Sequence, residues 1–145
     1  MKMIETDAPH GLRQDKEITL SIPGGLLGFE SVKRYRLISV PEEDPLMWLE
    51  MIDRPNQGFL VVAPETAVPG YKPHISQQDL DALGITRATD ILLLNVVVLR
   101  DDAVFTNLKG PIVVNRRTLE ARQCVPANVL DFSIEHPIQS LAVAA

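Results

Sequence analysis

At 145 residues, 46% of them hydrophobic and 23% charged, the chain has the size and composition of one folded domain with a sizeable core. Its net charge of −5 and sequence pI of about 5.1 argue against a protein that holds nucleic acid directly through its phosphates, and favour a basic partner. The longest apolar run, residues 91–99, falls far short of the ~20 residues a membrane helix needs, and MKMIETDAPHG lacks a secretory signal, so the expectation is a cytoplasmic protein with no membrane contact.

Taken in chain order, residues 1–15 are polar and read as a flexible N-terminal arm. Residues 17–22 then alternate, with Ile18, Leu20 and Ile22 on one face and Glu17, Thr19 and Ser21 on the other, which predicts a half-buried strand. Pro23-Gly24-Gly25 ends it, since proline offers no ladder donor and glycine admits left-handed backbone. Further strands are predicted over 34–39, 46–52 and 58–63, each bounded by turn residues. Ser76 with Asp79 three residues on, then Leu80, Leu83 and Gly84, predict a capped helix of about two turns that needs the sheet for support.

The strongest strand is ILLLNVVVL, 91–99. Leu92, Leu94, Val96 and Val98 make one apolar face, while Asn95 interrupts the other, so both faces need cover. Asn95 is either hydrogen-bonded inside a strand buried on both sides or set on a face open to a partner. Residues 100–103 read as a hairpin turn into a strand over 104–108, and 111–115 and 119–125 complete the set. In the last strand Leu119, Ala121, Gln123 and Val125 face in, with Glu120 and Arg122 out. Residues 139–145 read as a tail, either fraying or weakly helical. Short strands at this spacing give a mainly β fold: a small antiparallel barrel-like or sandwich domain over 16–138, with one or two short helices. Nothing has a heptad pattern, and a monomer is expected.

Signals for chemistry are sparse. Cys124 is the single cysteine, which leaves no internal disulfide and no multi-cysteine metal site; within a strand it reads as a packing residue or inert thiol. His10, His74 and His136 have no metal-ligand spacing, and PGGLLG matches no phosphate loop, so no cofactor is expected. An enzyme built on this chain would have to bring His74, His136 and an acidic turn into one pocket. An RNA-binding module would instead use the basic groups Lys33-Arg34-Arg36, near Phe29 and Tyr35, and Lys109-Arg116-Arg117-Arg122.

The stretch FTNLKGPIVVN, residues 105–115, resembles the NLxAPIVIN segment of the flagellar assembly factor FliW family, with Gly110 where alanine is usual. IPGGLLGFE at 22–30 with Tyr35-Arg36-Leu37, FLVV at 59–62, the segment 71–83 and IEHPI at 134–138 follow in the same order, with Phe132 near a common tyrosine. The resemblance implies a β-rich, barrel-like, non-enzymatic protein that binds newly made flagellin and also the RNA-binding carbon storage regulator CsrA, relieving repression of flagellin translation. The expected partner-facing residues are Tyr71, Asp79 and Asp81 on an acidic side, with Asn95, Asn107, Leu108 and Asn115. Asn107 and Asn115 have a second reading as caps of the Gly110-Pro111 corner.

Overall fold

The computed structural model describes residues 4–5 and 16–138. The rest of the expected arm, and the expected tail at 139–145, lie outside the described residues. The strands are β1 (Ile4–Glu5), β2 (Lys16–Ser21), β3 (Arg34–Ser39), β4 (Leu46–Met51), β5 (Gln57–Val62), β6 (Ile91–Arg100), β7 (Ala103–Thr106), β8 (Ile112–Asn115), β9 (Ala121–Gln123) and β10 (His136–Pro137). Two short helices, α1 (Pro64–Ala67) and α2 (Gln77–Ala82), fall between β5 and β6. Among the described residues no helix is long and apolar enough to cross a membrane.

All pairings between these strands are antiparallel, and β2 to β6 run as a meander in which Leu37 faces Leu49, Leu49 faces Phe59, and Leu60 faces Val97. Long β6 then serves two neighbours along one edge: Val97 to Arg100 pair with β7, and Ile91 to Leu94 pair with β8. β9 continues from β8, and β10 adds to the far side of β7. The curled sheet brings β9 back towards β2, where Ser21 and Glu120 form one isolated parallel bridge and Ser21 N donates to Leu119 O at 3.0 Å. The sheet is therefore barrel-like but not closed, as expected of a mainly antiparallel β chain.

The alternation in the sequence sorts the core. Leu20, Leu37, Leu49, Phe59, Val61, Leu94, Val96, Ile112 and Val114 fill the interior, with Tyr35 fully buried among them. The other face of β6 is covered twice: Val97 packs with Leu60, Val62, Val104 and Ile138, and Leu93 and Ile91 pack beneath α2 with Leu83, Ile85 and Cys124. Ser76 caps α2 by accepting Asp79 N at 3.1 Å, and Gly84 leaves it at φ 66°, which is what the helix reading requires. The β6–β7 turn places Asp101 and Asp102 at φ 51° and 63°, a left-handed pair suited to a tight hairpin.

One expectation is corrected. The predicted strand 119–125 shrinks to β9, because Leu119 takes φ 62° and breaks the extended run, and Val125 points outward instead of in. Pro64, one of the turn residues that bound the predicted strands, follows β5 as expected and also opens α1, since proline's fixed φ and missing donor suit the first helical position. β10, with a proline in two residues, carried no strand signal and owes its place to pairing with β7.

Candidate functional site

The chain turns from β7 to β8 through Asn107, Leu108, Lys109, Gly110 and Pro111, and hydrogen bonds from backbone and side chains tie that corner to its surroundings. Asn107 N donates to Val96 O at 3.1 Å, its Oδ1 accepts Lys109 N at 2.9 Å, and its carbonyl accepts Asn95 Nδ2 at 2.9 Å. Leu108, buried, donates its N–H to Ser133 O at 2.9 Å and accepts the Tyr71 hydroxyl at 2.7 Å. Tyr71 in turn stands edge-on to Phe132, centroids 4.8 Å apart. Burial raises the Tyr71 pKa above its ordinary value, with the Asn95 side chain acting the other way.

Gln123 ties this corner to the glycine-rich loop after β2. Its Nε2 donates to Gly110 O at 3.2 Å, and its Oε1 accepts Leu27 N at 2.8 Å. Gly25 in that loop has φ 67° and lies against the Glu30 backbone, where a Cβ would sit 2.5 Å from Glu30 Cα; no other residue fits. Between loop and corner runs a groove of about 420 Å³ with Leu26, Asn107, Gly110 and Gln123 in its lining. Its walls carry Leu27, Val125 and Ile134, which are 74%, 69% and 60% exposed, while Glu30 and Lys109 supply one charge of each sign. Three large apolar side chains converging on one concavity is the pattern of a surface meant to be covered.

The expected site residues divide between two places. Tyr71, Asn95, Asn107 and Leu108 gather at the corner, but Asn95 is fully buried and Leu108 nearly so, so neither presents its side chain to a partner. The open-face reading of Asn95 is replaced by the buried one, because Tyr71 and the corner seal that face of β6. Asn115 is also fully buried: its Oδ1 accepts Arg117 N at 2.9 Å and its Nδ2 donates to Leu83 O at 2.8 Å. Asp79, placed on an acidic face by sequence, is drawn inward and paired with Arg122, Oδ1 to Nε 3.0 Å. Asp81 is exposed and accepts Gln77 Nε2 at 2.8 Å. Sequence reading missed the groove walls, since Leu27, Val125 and Ile134 look like core residues; only the mismatch of two consecutive residues, Leu26 and Leu27, with a turn hinted otherwise.

The enzyme and RNA readings lose their geometry. His136 lies on β10 in a recess with Tyr71, Asp131 and Phe132, and His74, whose backbone is held by Asn128 and Ala127, does not line it. Among the described residues no three His, Cys, Asp or Glu side chains are grouped to hold a metal ion. Burial, then the adjacent Asp79 carboxylate, pushes the Cys124 thiol up to about 12, opposite to what a nucleophile needs. No aromatic platform accompanies the first basic group: Tyr35 is buried, Phe29 packs edge-on against Phe59 at 5.2 Å, and Arg36 lies between Glu17 at 2.8 Å and Glu50 at 3.2 Å.

Comparison with known proteins decides the family: the model of the FliW protein family matches residues 3–138. The chain belongs to the FliW family. Flagellar assembly factor FliW of Leptospira biflexa is 35% identical over 121 residues, covering 81% of this chain and 79% of the relative. That of Clostridium botulinum is 29% identical over 137 residues, 92% of this chain and 96% of the relative. A crystal structure of the flagellar assembly factor FliW superposes with a TM-score of 0.75 at 25% identity, over 83% of this chain and 84% of the other. The open, barrel-like sheet described above is thus the architecture of FliW, and the corner and groove lie inside the matched region.

Proposed function

We propose that this chain is a flagellar assembly factor: a non-enzymatic, monomeric protein of the cytoplasm that binds flagellin and CsrA, the domain over 16–138 being the working unit. On this reading flagellin competes for the pool that would otherwise restrain CsrA, so flagellin export lifts repression of its own translation. The observation that carries the role is the FliW family match over residues 3–138. The groove between residues 23–30 and the 107–111 corner supports flagellin as an occupant, because an apolar trough with one charge of each sign suits an amphipathic helix. The net charge of −5 supports electrostatic approach of a basic RNA-binding protein such as CsrA.

Calorimetric titration tests this directly. Flagellin and CsrA from the same organism are each titrated into the purified chain, and CsrA is then titrated into the preformed flagellin complex. Binding of both, with CsrA binding reduced once flagellin is bound, is the expected result; absence of binding to both sinks the proposal. Leu27→Asp with Val125→Asp places charge in the groove without touching a buried group. It is expected to weaken flagellin by at least about tenfold, as loss of a central apolar anchor does, and to leave CsrA affinity within a few-fold.

A further inference from the structure

Lys109, Arg116, Arg117 and Arg122 read as one basic cluster in the sequence, and the fold takes that cluster apart. Lys109 lines the groove and Arg122 pairs with Asp79, whereas Arg116 and Arg117 follow buried Asn115 at the end of β8. There they meet Arg87, which arrives from the segment between α2 and β6. Arg87 Nε and Arg117 Nε lie 3.6 and 3.7 Å from the same atom, Asp90 Oδ2, and Arg116 N donates to Asp90 O at 2.8 Å. Those separations are ion pairs too long for hydrogen bonds, and Asp90 Oδ2, buried, has no hydrogen-bond partner among the described residues. Two guanidinium groups, those of Arg87 and Arg117, therefore flank one sequestered carboxylate, and with Arg116 next to them in the chain the tip carries a local excess of positive charge on a chain of net charge −5.

The arginines are also oriented. Each turns Nε inward, Arg87 and Arg117 to Asp90 and Arg116 to Ile91 O at 3.2 Å, while the Arg87 and Arg117 side chains remain 70% and 56% exposed. A planar guanidinium held at Nε can present its terminal nitrogens as a fork that matches a carboxylate in two places, although Arg117 also donates Nη2 to Gly84 O at 3.4 Å. Beside this tip lies a notch of about 350 Å³ in which Leu80, Ile85 and Ile91 supply apolar surface and Arg87 stands at the rim.

We infer that this tip docks an acidic segment of a protein partner, with one apolar side chain in the notch and a neighbouring carboxylate held by Arg87, Arg116 and Arg117. Nucleic acid is the poorer occupant. No aromatic side chain lines the notch to stack a base, and three arginines at one tip are too few to follow a continuous phosphate backbone. The site stands apart from the apolar groove and does not depend on flagellin or CsrA being the partners.

The test uses the full chain and fluorescence anisotropy at low ionic strength. The probe is a labelled peptide of alternating leucine and glutamate; the other arms are the same peptide with glutamine for glutamate, and an RNA oligonucleotide of equal length. Arg116→Glu with Arg117→Glu is the strong variant. Arg87→Glu is the second, chosen because its exposed side chain can be reversed with little risk to folding, and thermal melts verify both. The glutamate peptide is expected to bind, to lose roughly tenfold or more in affinity with either variant, and to weaken as salt screens the charges. Equal binding of the glutamine peptide, unchanged binding by folded charge-reversed variants, no binding of the glutamate peptide, or tighter binding of the RNA would each overturn the inference.

Discussion

Asn107 and Asn115 close successive strands with the same local geometry, each Oδ1 accepting the amide two residues on at 2.9 Å, from Lys109 and from Arg117. Their surroundings differ. Asn115 is sealed, and its Nδ2 also reaches across to Leu83 O at the end of α2, so one side chain holds a turn and fastens the helix to the sheet. Asn107 is half-buried in the lining of the groove, and the long-range bond at its position comes from Asn95 to its carbonyl. The same turn chemistry thus builds an anchor in one place and the floor of a binding surface in the other. The difference is set by which neighbours arrive, not by the asparagine itself.

That contrast predicts unequal costs. Asn115→Ala removes a buried amide and leaves Leu83 O and Arg117 N without their partner, for a loss of about 2–3 kcal/mol. Denaturant unfolding should show a lower midpoint with an unchanged slope. A loss below about 0.5 kcal/mol, the scale of an ordinary surface change, would mean that α2 is fastened by its apolar contacts alone.

The sealed side also has a signature in pH. Cys124 packs in the same cluster as Leu83, and burial pushes its thiol from an ordinary 9.0 to about 12; Tyr35, inside the barrel, moves from 10.0 to about 12 for the same reason. Both groups keep their protons in the folded state after the unfolded chain has lost them. Their contribution is intact below pH 9 and declines between 9 and 12, by about 1.4 kcal/mol per pH unit for each group in its window. Melting temperatures should therefore fall from pH 9 upward, and Cys124→Ala should flatten the first part of that fall. An unchanged profile in that variant would show that the thiol is not shielded.

Asn107→Ala, at the half-buried corner, is expected to cost about 1 kcal/mol, less than Asn115→Ala. Its larger effect should be on flagellin affinity, because Lys109 N loses the bond that fixes the corner beside the groove. Equal stability losses at the two asparagines would erase the distinction between anchor and floor.

Much of this was legible in the residues. Period-two alternation located β2 and sorted the faces of β6, turn residues bounded β3 to β5, and the Ser76 and Gly84 signals bounded α2, because these elements are decided by neighbours near in sequence. The groove was not legible. It is assembled from residues 24–30, 107–110, 123–125 and 134, and nothing local distinguishes an apolar side chain that fills a core from one that walls a groove. Val125 shows this: alternation from Ala121 sent it inward, but the left-handed Leu119 and the stop at Pro126 confine the strand to Ala121–Gln123 and leave Val125 on the surface. The basic cluster failed for the related reason that Arg87, far away in sequence, is the residue that joins Arg116 and Arg117.

Gly110 gives the smallest and most discriminating effect. FliW-like sequences usually carry alanine there, and the backbone raises no objection, since Gly110 is not among the left-handed glycines. A Cβ would sit 3.1 Å from Gln123 Nε2 and 3.5 Å from Asn107 Nδ2, both ends of side chains that can give by a few tenths of an ångström. Gly110→Ala is therefore expected to change stability by less than about 0.5 kcal/mol, as mild crowding against movable atoms does. The Gln123 amide, however, also accepts Leu27 N, so its displacement should loosen the groove wall and shift flagellin affinity while the melting temperature stays put. A drop in melting temperature with unchanged flagellin binding would reverse the assignment: Gln123 would then be a brace of the barrel, and the groove wall would be held by other contacts.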